Sequence, residues 1–254
     1  MSMAGEAEVS SYADGASRGI FNQAWGVLAT LLCVLLTTVM APMAAMSAAM
    51  SRYHAVTVLS RIWARTILTL CGVKVEVVGR QNLPGSGPCI LVANHKSFFD
   101  IFAVAAHIPG EPRFVGKKEL LKIPAIGYAL QHSGHIVIDR QSGGKEIRKA
   151  VESIRRGFTV CVFAEGHRFN DNQLHEFNDG AAWLAILTKL PAVPLAISGS
   201  GTFMPRGAMV VRPGGTIRLT LGPAIATAGM KSADRTELTH KLEEQVRADF
   251  VAEI

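Results

Sequence analysis

Charged residues recur along most of this chain but are missing from one stretch, between residues 19 and 51. The apolar run over 20–40 is long enough to cross a bilayer core, which takes roughly 20 residues, and continues past Pro42 as an Ala/Met-rich stretch to Met50. A signal peptide is not expected, because the run starts late, is too long and follows acidic residues. Two membrane arrangements fit the pattern better than a buried core helix. One is a single span followed by Arg52, Arg61, Arg65 and Lys74, a positive flank that puts the rest of the chain on the cytoplasmic side. The other is a helix pair, broken near Pro42, that dips into one leaflet and returns. Residues 54–71 then form an amphipathic helix whose arginines reach lipid phosphates. Either way, residues 1–19 are a polar tail, 20–71 a membrane-inserted helix or helical hairpin, and 72–254 a separate folded domain.

From Gly72 onward, strand-like and helix-like runs alternate. Residues 74–78 alternate as a half-buried strand, while 89–93 and 159–163 are continuous apolar runs of the kind that forms strands buried on both faces. Further strands are predicted at 135–138, 193–197, 208–211 and 216–221. Helices are predicted at 100–108, 123–132, 145–156, 179–189 and 234–250, the last with Glu237 helping to cap its start. The pattern is that of an α/β fold: a mixed, mostly parallel sheet covered by helices. Ligand sites in such folds lie in loops past the strand C-termini.

Hydrophobic residues make up 49% of the chain and the net charge is +6; residues before Arg52 contribute −2, so the remainder carries +8. A basic body behind an apolar segment suits an anionic membrane surface or phosphorylated ligands. Nucleic acid is excluded as a partner, since no recognition motif or Lys/Arg-rich run accompanies the charge. The four cysteines, Cys33, Cys71, Cys89 and Cys161, form no CxxC pair and read as free buried thiols. His107, His132, His135 and His175 lack metal-ligand spacing and are expected to be structural, and no metal is expected.

Three polar loops carry candidate chemistry. The run 89–93 leads into Asn94, His95 and, five residues after the histidine, Asp100. An Asp can fix a His tautomer and leave the other ring nitrogen free to take a proton from an alcohol. A loop His beside a helix-capping Asp is the plainer alternative. The second loop, 113–124, holds Arg113, Gly116, Lys117, Lys118 and Lys122, and fits either a phosphate or a solvated face. In the third, Glu165, Gly166 and Arg168 follow the run 159–163. These could grip a phosphorylated head group, the Arg by paired hydrogen bonds, or form a structural Glu–Arg pair.

Taken in order, these loops resemble the glycerolipid acyltransferase family, the bacterial 1-acyl-sn-glycerol-3-phosphate acyltransferases and their relatives. Asn94, His95 and Asp100 are similar to its NHxxxxD motif. Gly116 to Leu120 with Ile123, Pro124 and Gly127 look like its second motif, followed by a strand-and-Arg element at Ile138, Asp139 and Arg140. Phe163, Glu165, Gly166 and Arg168 match FPEGTR, Phe177 and Gly180 the FxxG after it, and residues 193–197 the VPV-I block. The matches run from about Val73 to Gly222. Ala164, His167 and Asn178 depart from the usual Pro, Thr and Lys.

The resemblance implies an O-acyltransferase of phospholipid biosynthesis. It would act by direct transfer from an acyl thioester to the hydroxyl of a lysophospholipid, 1-acylglycerol-3-phosphate first among acceptors. His95 would be the general base and Asp100 its orienting partner. Asn94, Lys117, Glu165, Gly166 and Arg168 would bind substrate, with Lys117 and Arg168 on the acceptor phosphate. No bound cofactor is implied; acyl-CoA or acyl carrier protein serves as donor substrate. The location implied is the cytoplasmic face of a bacterial inner membrane. Another lyso-lipid acceptor, such as lyso-ornithine lipid, and thioester hydrolysis are the alternatives. Neither G-x-S-x-G nor a cysteine at a strand end suggests an acyl-enzyme.

Overall fold

The computed structural model describes residues 3–85, 87–122, 126–138, 151–169, 171 and 173–251. Helix α1 spans Met3–Ala49 and runs through Pro42 without a break. The polar tail expected at 1–19 therefore belongs, from Met3 on, to the same helix. The reversal of direction comes later than expected, at residues 50–52, where Ser51 takes φ 54° and the Met50, Ser51 and Arg52 amides bond back to α1 carbonyls. Proline removes one amide and crowds one carbonyl, and here that does not end the helix. The segment Asn22–Ala49 is long and apolar enough to cross a membrane by length and composition. Leu31, Val34 and Leu35 on it are 62%, 60% and 60% exposed.

Helix α2 (Tyr53–Leu70) packs back along α1, with the Trp63 indole N–H donating to Thr37 Oγ1 at 2.9 Å. Its arginines do not point to lipid phosphates as expected. Arg61 donates to the carbonyls of Ile108 (3.2 Å) and Gly110 (2.6 Å), and Arg65 to that of Ala106 (3.4 Å). They satisfy carbonyls at and just beyond the C-terminus of the next helix, α3 (Phe99–His107), which has no intrahelical donors left for them.

Seven strands form one sheet: β1 (Val73–Val78), β2 (Ile90–Ala93), β3 (Pro112–Lys117), β4 (Ile136–Ile138), β5 (Thr159–Phe163), β6 (Ala192–Ser198) and β7 (Gly215–Leu221). Their order is β1-β7-β6-β2-β5-β3-β4, and only the β6–β7 pairing is antiparallel. The mixed, mostly parallel sheet read from the sequence is therefore the one found. Alternate residues of β2 explain its continuous apolar run. Leu91 and Ala93 join a core with α2 and α3, whereas Ile90 and Val92 join a second core beneath α5 (Gly180–Thr188) and α6 (Arg235–Asp249).

Two expected elements differ. Residues 113–117, read as part of a basic loop, are most of β3. Residues 208–211, read as a strand, form a loop against α1, where Val211 N–H donates to Thr30 Oγ1 at 3.0 Å. A Cβ on Gly26 would collide with the Val211 carbonyl, so this close approach needs glycine. Helix α4 (Ile126–His132) is present, but residues 123–125 lie outside the described part, as do Asp139, Arg140 and 145–150; residues 151–155 are helical. Glu237 does not cap α6: it pairs with Lys241 at 2.7 Å, while Asp234 accepts the Lys231 amide at 2.7 Å.

Candidate active site

The parallel strands β2, β3 and β5 end on the same edge of the sheet, and all three predicted loops leave from it. Directly after β2, Asn94 is fully buried. Its side chain donates to the Ile197 carbonyl (2.8 Å) and accepts the Ile197 amide (2.7 Å), extending the β2–β6 ladder by one side chain. Expected to touch substrate, Asn94 instead has its amide committed to the sheet and locks the start of the loop.

The loop then folds around Asp100, which sits in the first turn of α3, where a helix favours negative charge. Asp100 is fully buried, and its Oδ2 accepts from the amides of Lys96 (2.8 Å) and Ser97 (2.9 Å). The same oxygen lies 2.7 Å from His95 Nδ1. A carboxylate there assigns the proton to Nδ1 and leaves Nε2 as an acceptor. The His95 ring stacks on Phe163 at the end of β5, with centroids 4.0 Å apart and planes 15° apart. Phe163 in turn stacks with Phe114 of β3, and Phe114 with His135, so a row of rings crosses the sheet and ends at His95.

Glu165 does not form the structural pair with Arg168 that was one of the two readings of this loop. Its carboxylate is completely buried and accepts the His95 amide at 2.8 Å through Oε1. Through Oε2 it meets Lys96 Nζ (3.2 Å) and the His175 amide (3.2 Å). Lys96 Nζ also donates to the Gln173 carbonyl and lies 3.9 Å from Asp171. Glu165 thus clasps the backbone of the His95 loop. Lys96, adjacent to His95 in sequence, was missed as a site residue; an ionisable side chain inside a catalytic-type motif was the available signal. Gly166 takes φ +71°, a left-handed conformation that suits glycine, and turns the chain just after β5.

Arg168 leaves this turn to lie over the Phe98 ring, 3.8 Å from its centroid. Burial pulls its pKa down, Asp100 opposes that, and Arg206 adds to the lowering. His167 is exposed, edge-on to Phe169 at 6.2 Å. Lys117 ends β3, in register with Ile138 of β4, and so leaves the sheet on the same edge; its side chain is outside the described part. All four cysteines are free, and burial pushes the Cys161 thiol well up, away from the reactive thiolate.

The family model for acyltransferases matches residues 74–198, which include all three loops. A 1-acyl-sn-glycerol-3-phosphate acyltransferase of Pseudomonas aeruginosa is 31% identical over 198 residues, covering 76% of this chain and 74% of that protein. A chloroplastic protein of the same name from Brassica napus is 30% identical over 167 residues; the chain spans about half (48%) of that longer relative. In fold, the chain is similar to the crystal structure of the 1-acyl-sn-glycerophosphate acyltransferase of Thermotoga maritima. The TM-score is 0.76 at 24% identity, covering 90% of this chain and 95% of that one. With its ordered motifs on one sheet edge and a relative matched over most of both chains, this chain belongs to the glycerolipid acyltransferase family.

Proposed function

We propose that the protein transfers a fatty acyl group from a thioester to the free hydroxyl of 1-acylglycerol-3-phosphate, at the surface of a membrane that holds α1. The observation that carries the reading is the 2.7 Å contact between His95 Nδ1 and buried Asp100 at the C-terminal end of a central strand. It orients the imidazole so that Nε2 can accept a proton from an alcohol. The acceptor oxygen attacks the thioester carbonyl carbon as its proton passes to Nε2, and the imidazolium that forms is stabilised by Asp100. The new C–O bond replaces the C–S bond, and the departing sulfur takes the proton back from Nε2. A direct transfer of this kind uses none of the cysteines, which suits the buried Cys161. Lys117 and Arg168 hold the acceptor phosphate. Acyl-CoA or acyl carrier protein supplies the acyl group from the cytoplasmic side, the side favoured by the charge that follows α1.

The test is His95→Ala in the full-length protein, assayed for transfer from acyl-CoA and from acyl carrier protein to lysophosphatidic acid. The expected rate falls at least ~100-fold, the lower range for loss of a general base. A folded variant that transferred at the wild-type rate would refute the mechanism. Thiol release from wild-type protein at the same rate with and without lysolipid would mark a hydrolase instead.

A further inference from the structure

The positive edge of the site extends past Arg168. After β6 the chain turns at Gly199 and passes through a short 3-10 turn, Ser200–Thr202, against the His95 loop. A Cβ on Gly201 would lie 3.6 Å from Lys96 Cβ, and the Phe203 ring packs on Phe99 with centroids 5.4 Å apart. The Met204 carbonyl accepts the Ser97 hydroxyl at 3.1 Å. Arg206 follows two residues later and is exposed. Ser97, which anchors the Arg206 segment, and Phe98, which carries Arg168, are neighbours in the chain. The Arg206 segment and Arg168 are therefore both held by the catalytic loop, at adjacent residues.

Arg206 disfavours the charged form of Arg168. Among the described residues, neither is ion-paired with a carboxylate. Asp100, an acidic group acting on Arg168, already serves His95 and two backbone amides. Two cations near enough to act electrostatically, neither ion-paired with a carboxylate among the described residues, suit a ligand of at least one negative charge. A phosphomonoester carries about −1.5 to −2 near neutral pH, and guanidinium forks match its oxygens. The segment from Met204 also runs on to Val211, which is bonded to α1.

We propose that Arg206 is a second cation for the acceptor's phosphomonoester, acting with Arg168 and selecting phosphomonoester acceptors over zwitterionic ones. This rests on the transfer to a phosphorylated lysolipid proposed above. The test uses full-length protein in neutral detergent micelles, with acyl-CoA as donor and lysophosphatidic acid or lysophosphatidylcholine as acceptor. Arg206→Ala is expected to raise the KM for lysophosphatidic acid by about 10- to 100-fold, the worth of one hydrogen bond to a charged group. The KM for acyl-CoA stays within about twofold. Arg206→Lys recovers part of the loss. Arg212→Ala, which removes the next cation on the same exposed segment, leaves both KM values unchanged.

An unchanged KM for lysophosphatidic acid in active Arg206→Ala overturns the assignment. So does an equal rise in Arg212→Ala, which marks general attraction to an anionic surface, or a rise confined to acyl-CoA, which gives Arg206 to the donor's phosphates. Those failures leave the proposed function standing. Wild-type protein that acylated lysophosphatidylcholine as well as lysophosphatidic acid would overturn the acceptor reading itself and Arg206's role with it.

Discussion

Lys96 and Arg113 are both buried cations, 5% and 2% exposed, yet they hold different parts of the molecule. Lys96 sits in the His95 loop, and its partner Glu165 also grips the His95 backbone amide. Arg113 lies in β3 and ties together the scaffold. Its guanidinium donates to the Ser133 carbonyl (2.6 Å), Thr57 Oγ1 of α2 (3.0 Å) and Glu111 (3.0 Å), and lies over Phe158 at 4.0 Å. Burial pulls its pKa down to about 10, against the opposing pull of Glu111. A buried ion pair is therefore not in itself a mark of chemistry. What distinguishes the two is what the partner touches: the catalytic loop in one case, α2 and the sheet in the other.

The sharpest way to break this comparison is Lys96→Met. Removing one member of a buried pair costs about 3–5 kcal/mol, because the other is left as an unpaired buried charge. Glu165 would then rearrange and release the His95 amide. The expected result is a stability loss of that size and, in the protein that remains folded, a rate at least ~100-fold lower. Glu165→Gln in the same chain should restore stability by removing the orphan charge. Denaturant midpoints and turnover, measured side by side, decide the matter. Wild-type turnover in folded Lys96→Met would mean that the clasp does not support His95.

Arg113→Leu tests the other half. Its loss leaves the Ser133 carbonyl without this donor and Glu111, which is partly exposed, without its guanidinium partner. A destabilisation of about 3 kcal/mol is expected, toward the low end for a broken buried pair. Turnover per folded molecule should stay within about threefold of wild type. A collapse of turnover without loss of stability would put Arg113 in the chemistry, in line with the phosphate-holding one of the two readings of 113–124.

That misreading shows where sequence stops being informative. The continuous apolar runs at 89–93, 159–163 and 193–197 became central strands because burial on both faces writes itself directly into composition. β3 did not show itself, because it carries Pro112 and Arg113 at its start and Lys117 at its end, and Arg113 is paid for by residues far away in sequence, Thr57, Ser133 and Phe158. Residues 208–211 are apolar for the opposite reason: they cover α1 at Thr30 and Gly26, and no sheet is involved. The turn at 50–52 carries neither Gly nor Pro, so Pro42 drew the break to the wrong place. In the site, the spacing of His95 and Asp100 announced their proximity. The true partner of Glu165 did not, since choosing Lys96 over Arg168 depends on how two loops cross.

The smallest of these effects belongs to His135, which sits where the Arg113 cluster meets the row of rings. Its Nδ1 accepts the Phe114 amide at 3.0 Å, so the ring is held as an acceptor. Burial first, and the Arg113 charge second, pull its pKa down to about 3. In the unfolded chain a histidine titrates near ~6.5. Above that value both states are neutral and His135 adds no pH dependence. As pH falls, the unfolded state takes up a proton that the folded state refuses, so stability is lost from ~6.5 downward until the folded group itself titrates near about 3. One pH unit below ~6.5 the loss is about 1.4 kcal/mol. His135→Asn keeps a hydrogen-bond acceptor but cannot titrate. Its packing loss is the same at every pH, so the difference between denaturant midpoints at pH 7.5 and 5.5 isolates the proton. Wild type should lose about 1.4 kcal/mol more than the variant over that interval. Equal losses would mean that the His135 ring accepts a proton beside Arg113, and that the scaffold cluster tolerates a second positive charge.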